Sequence, residues 1–275
     1  MKVLINYADA KYASAQRWNT ISAKYIAKID KVYSFHPDDI DYTFFNEHKD
    51  ILSQKRGNGL WLWKPYFINK IIHTLKDGDI LFYCDSGSIF IRYPQVVYEN
   101  LNNEQPLFVC DIPLIESCWT KPICFTEMDC DSNDIKYSNQ IIGTYFAIYV
   151  NGFTRDFIDE WLQLCCRHEL ISPEGSLKNE ILNKEYGDGF VSHREDQSIF
   201  SLLCKKKVIA PHRDISHRKP NTYKSEYYAY KETFHPYDTY KPIIYLHKQP
   251  NIRAIFLKWM YNMFHLAKLK KILFH

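Results

Sequence analysis

The chain has 275 residues, 46% hydrophobic and 24% charged, with a formal net charge of +3. That is enough apolar surface for one sizeable core, and too little charge imbalance for a disordered chain or for a protein committed to nucleic acid. Its eight cysteines form no Cys-x-x-Cys pair, and Cys118, Cys124 and Cys130 do not match zinc spacing, so buried thiols of a reducing compartment are expected.

In chain order, residues 3–7 read as a buried strand and residues 8–29 as a helix with apolar side chains near a helical period. No leader-like apolar run precedes the strand, and no stretch is apolar enough to span a bilayer, so the expected location is the cytoplasm. Residues 31–35 are a second short strand, closed by His36-Pro37-Asp38-Asp39, which makes a β-α-β opening and predicts a parallel sheet. Residues 65–75 read as a helix with Pro65 in its first turn, and Asp77-Gly78-Asp79 turns the chain into the apolar strand 80–83. Asp85 then falls just past a strand end, where open α/β sheets bind ligands.

Further on, residues 107–110 and 143–150 give two strands, residues 155–168 an amphipathic helix carrying Trp161, and residues 174–189 a surface loop or short helix. Residues 194–204 read as a helix with Glu195 and Asp196 in its first turn, where the macrodipole favours acids. Residues 219–240 lack periodicity and read as a long loop, and residues 243–248 are a short strand ending at His247. The tail places Ile252, Ile255, Phe256, Trp259, Met263, Leu266 and Leu273 near one helical face, with Arg253, Lys258, Lys268, Lys270 and Lys271 around them and no acid after Asp238. This is the pattern of a basic amphipathic helix on an anionic membrane surface; a terminal helix packed on the domain is the other reading. The expected organisation is one domain over residues 1–250 followed by that helix over residues 251–275.

The strongest local site signal is the apolar strand that ends in Asp85-Ser86-Gly87. Breaking a sugar–diphosphate bond calls for positive charge on the leaving diphosphate, and Mn²⁺ or Mg²⁺ held by a carboxylate supplies it. Gly87 lets a bulky ligand approach the backbone. The same residues also suit an aspartate that merely caps its own turn.

The run Arg56-Gly57-Asn58-Gly59-Leu60-Trp61-Leu62-Trp63-Lys64-Pro65-Tyr66, then Asp85-Ser86-Gly87, then His193-Arg194-Glu195-Asp196-Gln197-Ser198, resembles bacterial glycosyltransferases of polysaccharide loci. The likeness covers most of the chain from Leu4 to His247, and the Trp-x-Trp-Lys-Pro run is its distinctive part. It implies an α/β, GT-A-like nucleotide-sugar-binding fold with a mostly parallel central sheet flanked by helices. It also implies transfer of a hexosyl group, galactosyl among the candidates, from a UDP-sugar to a saccharide acceptor in capsule, exopolysaccharide or lipopolysaccharide synthesis.

By that resemblance Asn6, Tyr7 and Ala8 hold the base and ribose, with Tyr7 stacked on uracil. Arg56 and Lys64 attend the diphosphate, Asp85, Ser86 and Gly87 meet the donor, and Gln140 is placed on the donor side with them. Trp61 and Trp63 alternate, so one of them faces the pocket, and Trp63 is taken as that residue. Asp196, with Glu195 beside it, is expected to do the catalytic work at the acceptor, while Asp85 and His247 hold the metal. A core Tyr, a helix-end acid and a structural His are the plainer readings of the same residues. Where the fuller acid motif has a second Asp this chain has Gly87, and the stereochemical outcome stays open. The acceptor is expected to be lipid-linked, which suits a protein at the inner face of the plasma membrane with no nucleic-acid partner. Two other functions fit less of the sequence: a non-catalytic saccharide-binding or scaffold protein, and a nucleotidyltransferase, whose glycine-rich N-terminal loop is missing.

Overall fold

A computed structural model describes residues 1–173, 189–218, 232–236 and 238–250. The loops read at residues 174–189 and 219–240 lie largely outside the described residues, and the tail helix at 251–275 lies wholly outside them.

The chain opens with β1 (Lys2–Tyr7), α1 (Ala13–Tyr25) and β2 (Lys31–Phe35), the two strands parallel as the pattern predicts. α2 (Trp63–Ile72) leads to β3 (Ile80–Cys84), which pairs parallel with the other side of β1. The strands β4 (Ser88–Phe90), β5 (Leu107–Phe108), β6 (Asp111–Ile115) and β7 (Asn139–Ile141) precede β8 (Tyr145–Tyr149). α3 (Gly152–Cys165), α4 (Glu195–Lys206) and β9 (Ile244–Leu246) follow.

The main sheet has the order β2-β1-β3-β8-β5, and β4–β9 and β6–β7 form two small antiparallel pairs. β8 runs antiparallel to both β3 and β5, so the sheet is mixed, with two parallel and two antiparallel pairings. This corrects the mostly parallel expectation. A parallel neighbour for β3 needs a crossover that returns the chain to the strand's starting end. Here the chain enters β8 beside the place where it left β3, the N–H of Asp85 donating to the carbonyl of Thr144 at 2.8 Å.

Side chains alternate across the sheet and fill two cores. Ile5, Tyr83 and Phe146 join Phe67, Trp161 and Phe200 on the face covered by α2, α3 and α4. Leu4, Phe82 and Ala147 face the opposite way, with Phe90, Val97 and Phe108. Burial on both faces explains why β1 and β3 read as unbroken apolar runs. α3 starts three residues before its predicted start because Asn151 caps it: its side chain accepts from the N–H of Thr154 at 2.9 Å, and the Thr154 hydroxyl answers the N–H of Asn151 at 3.0 Å. All eight cysteines are free thiols. Among the described residues no helix is long and apolar enough to cross a membrane.

Candidate active site

The carboxyl ends of β1 and β3 and the start of β8 open on a cleft of about 460 Å³. Tyr7, Ala8 and Asp9 enter it from β1, Asp85, Ser86 and Gly87 from β3, and Thr144 from the approach to β8. The Ser86 hydroxyl donates to the Tyr7 carbonyl at 2.6 Å, tying the two strand ends together. The Gly87 carbonyl accepts from the N–H groups of His247 and Lys248 at 3.0 and 2.9 Å, which brings the end of β9 to the same rim. A Cβ on Gly87 would stand 3.3 Å from the Cα of Lys248, so any larger residue would have to push the end of β9 back by a few tenths of an ångström.

One wall is a left-handed turn. Gly57, Asn58, Gly59, Leu60 and Trp61 all have positive φ, from 52° to 92°. Leu60 N–H donates to the Arg56 carbonyl at 2.9 Å and Trp61 N–H to the Gly57 carbonyl at 3.3 Å, one helical turn of the unfavoured hand. That conformation costs about 1–2 kcal/mol for each non-glycine residue. It sets both tryptophans in the cleft lining, but Trp63 is buried and Trp61, not the expected Trp63, is the partly open one, because the segment is not extended. The Trp63 indole N–H donates to the Gly57 carbonyl at 2.9 Å, and its ring stacks on Tyr7 at 3.8 Å between centroids. Tyr7 is 6% exposed with one face taken by Trp63, so the half-buried ring of Trp61 is the one with surface open to a ligand.

Beneath the cleft floor lies a charged trio. The Lys64 ammonium, 4% exposed, stands 2.6 Å from Oδ2 of Asp196 and 3.9 Å from Oδ1 of Asp85, and donates to the Gly143 carbonyl at 3.1 Å. Burial pushes against its charge, but the two carboxylates outweigh that and hold its pKa above the usual lysine value. Asp196 is pushed up to about 6 by burial, with Lys64 opposing and Asp85 adding to the rise. Asp85, about a third exposed, also accepts from the hydroxyl of Tyr83 at 2.5 Å. Next to the trio, Arg56 Nε donates to Glu195 Oε1 at 2.5 Å; burial raises the Glu195 pKa against the pull of Arg56.

Of the residues named from sequence, Tyr7, Ala8, Trp63, Asp85, Ser86 and Gly87 meet at the cleft. Others are brought near it but spent on internal partners. Asn6 is fully buried, its amide N–H₂ donating to Asn19 and Thr20. Lys64 and Asp196 pair with each other, as do Arg56 and Glu195. Gln140 lies in a buried network, its amide N–H₂ donating to Glu116 at 3.2 Å and its carbonyl accepting from Gln197 at 2.8 Å. His247 is fully buried, and its Nδ1 accepts from the N–H of Gln249 at 3.0 Å. That hydrogen bond occupies the Nδ1 lone pair.

Sequence reading missed Asp9, Lys11, Tyr12, Lys55, Asn58, Thr144 and Lys248 on the cleft wall, and chose Trp63 over Trp61. Position was the available signal: Asp9 to Tyr12 follow the end of β1 as Asp85 follows β3, and Lys55 and Asn58 flank or belong to the quoted motif. Among the described residues no three His, Cys, Asp or Glu side chains gather as a metal cage. Asp85 and Asp9 each bring a partly open carboxylate to the cleft, and Asp85 suits a cation that takes its remaining ligands from phosphate oxygens and water.

No protein-family model matches the sequence, and no curated protein does. Solved structures that resemble the chain include apo mouse xyloside xylosyltransferase 1, with 9% identity over 90% of this chain and 97% of that one at a TM-score of 0.46. Galactosyltransferase LgtC in complex with donor and acceptor sugar analogues shares 14% identity over 74% and 70%, at 0.41. The apo-form glycosyltransferase GlyE of Streptococcus pneumoniae TIGR4 shares 14% over 90% and 54%, at 0.43. These neighbours are glycosyltransferases by name.

Proposed function

We propose that this chain transfers a hexosyl group from a UDP-sugar to a saccharide acceptor. The observation that carries the reading is the cleft itself, where one wall is aromatic, the rim bears Lys11, Lys55 and Lys248, and the floor presents the Asp85 carboxylate. A nucleotide sugar offers the matching parts: a flat base for Trp61, a diphosphate for the lysines and sugar hydroxyls for Asp85.

In the transfer, the bond from the sugar's anomeric carbon to the diphosphate oxygen breaks and UDP leaves with the electron pair. The acceptor oxygen bonds to that carbon and gives up its proton. The lysines neutralise charge as it develops on UDP, the term that contributes most in such sites. Asp85, with donor phosphate oxygens, is the residue to hold Mn²⁺ or Mg²⁺, which supplies further positive charge there when bound. Lys64 fixes the Asp85 carboxylate from below, and Asp196 keeps Lys64 charged. Residues 1–250 form the catalytic body in this reading, and residues 251–275 lie on a membrane surface near a lipid-linked acceptor.

Calorimetry with UDP and Mn²⁺, followed by UDP release from a panel of UDP-sugars, tests the proposal. Saturable binding and donor-dependent release are expected, both reduced in Asp85→Ala. Absence of UDP binding sinks the reading, and undiminished release by Asp85→Ala removes Asp85 from it.

A further inference from the structure

On α1 the ordinary distribution of polarity is reversed. The helix buries Ala15, Gln16, Asn19, Ser22 and Ala23, which are small or polar. They are used for hydrogen bonding: Asn19 Nδ2 donates to the Ser88 carbonyl at 2.9 Å, Asn19 Oδ1 accepts from Asn6 at 2.8 Å, and the Ser22 hydroxyl accepts from the N–H of Phe90 at 3.0 Å. The solvent side carries Trp18, Ile21 and Tyr25, which are 39%, 41% and 72% exposed. At one residue per 100° these three fall within about 60° of each other, and Arg17 and Lys24 form the adjacent row. Lys28 follows just beyond the helix end.

The patch extends past α1. The Tyr98 hydroxyl donates to the Ala27 carbonyl at 3.1 Å, and the ring of Tyr93, an exposed residue, lies 5.5 Å from that of Tyr98. Lys2 Nζ reaches the Tyr93 hydroxyl at 3.1 Å. No acid occurs between Asp9 and Asp30, and Asp30 accepts from the backbone N–H of Lys2 at 2.7 Å.

We infer that the Trp18–Ile21–Tyr25 face of α1, with Arg17, Lys24 and Lys28, docks on an anionic lipid surface. Amphipathic rings settle at the headgroup level while lysine and arginine meet the anionic groups, and the apolar stripe with its basic flank supplies both terms. The charge argues against a second copy of the chain as the occupant, because two such faces would set basic rows against each other. Position agrees as well. The Pro250 carbonyl accepts from the N–H of Ala15 at 3.3 Å, so the basic segment 251–275 leaves from the first turn of this helix. Lys11 and Tyr12 line the cleft and run straight into α1, so the cleft lies at the amino end of the docking helix. The inference stands on α1 alone and does not require the glycosyl-transfer reading.

The test is co-sedimentation of the full chain with phosphatidylcholine vesicles, with and without phosphatidylglycerol. Wild type should bind the anionic vesicles, and its tryptophan emission should be quenched by brominated lipid. The triple variant Trp18→Ser, Ile21→Ser, Tyr25→Ser and the pair Arg17→Glu, Lys24→Glu should each weaken binding by roughly tenfold or more, with unchanged circular dichroism. Trp18→Phe should remove part of the quenching while retaining vesicle binding. The inference fails if wild type ignores anionic vesicles. It fails equally if both variants bind like wild type, including the case where truncation after Pro250 alone abolishes binding. A concentration-dependent dimer that the triple variant abolishes would give the face to a second copy and overturn the lipid assignment.

Discussion

Lys64 Nζ lies 2.6 Å from Oδ2 of Asp196, with neither side chain more than 5% exposed. A buried cation stands here between two carboxylates, and removing it leaves both without a counter-charge. Lys64→Met should therefore destabilise the fold by about 3–5 kcal/mol. Adding Asp196→Leu should recover part of that loss, because the most deeply buried uncompensated charge then disappears. Urea unfolding of the single and double variants measures both effects.

The pH dependence of the same pair has a definite sign. Burial raises Asp196 from the ordinary 3.8 to about 6, so between those values the native chain holds a proton that the unfolded chain has released. This group's contribution to stability therefore falls as pH rises from about 4 to 6 and is constant above. Asp196→Asn should flatten that segment of a melting-temperature profile. In the proposed reaction, activity should decline below about pH 6 as Asp196 takes up its proton and Lys64 loses its nearest anion.

The left-handed turn should resist substitution at its glycines. At Gly59, where φ is 92°, a Cβ would come within 2.8 Å of the Leu52 Cα, and backbone cannot step aside. Gly59→Ala should cost more than about 1 kcal/mol. At Gly57 a Cβ would meet the Trp61 ring at 2.2 Å, so Gly57→Ala should also displace Trp61 and change its fluorescence response to UDP. Gly152→Ala is the control: nothing lies within 4 Å of the new Cβ, and the site is the first residue of α3, so stability should hold or rise.

The cleft lysines should read the diphosphate rather than the base. Lys11→Ala and Lys55→Ala should each weaken UDP binding by roughly two- to fivefold and leave uridine binding unchanged. Raising salt should have the same selective effect, since exposed charges are screened. Titration calorimetry with the two ligands separates these outcomes.

Gln140 should behave as a structural residue. Gln140→Leu leaves the buried Glu116 carboxylate and the Gln197 amide each short of a partner, which should cost about 1–3 kcal/mol. UDP affinity of the folded variant should match wild type, because Gln140 does not reach the cleft.

The sequence by itself determined those features that depend on near neighbours. Unbroken apolar runs marked β1 and β3 because both faces of these strands are covered, and the turn residues after them placed Asp85 at a strand end. The Asn151 cap was written locally too, although the helix it starts was read three residues late. The tertiary structure alone decided what rests on distant pairings. β8 is antiparallel because the chain re-enters the sheet beside Thr144 and Asp85, which no local pattern encodes. Trp61 reaches the cleft because a run of positive φ angles replaces the extended geometry on which the alternation argument relied. Lys64, Asp196, Glu195 and Gln140 are recognisable by type, but whether a charge or an amide faces a ligand or another side chain is fixed only when elements far apart in the chain pack. Here packing pairs Lys64 with Asp196, Glu195 with Arg56 and Gln140 with Glu116 and Gln197, and leaves Asp85 to face the cleft.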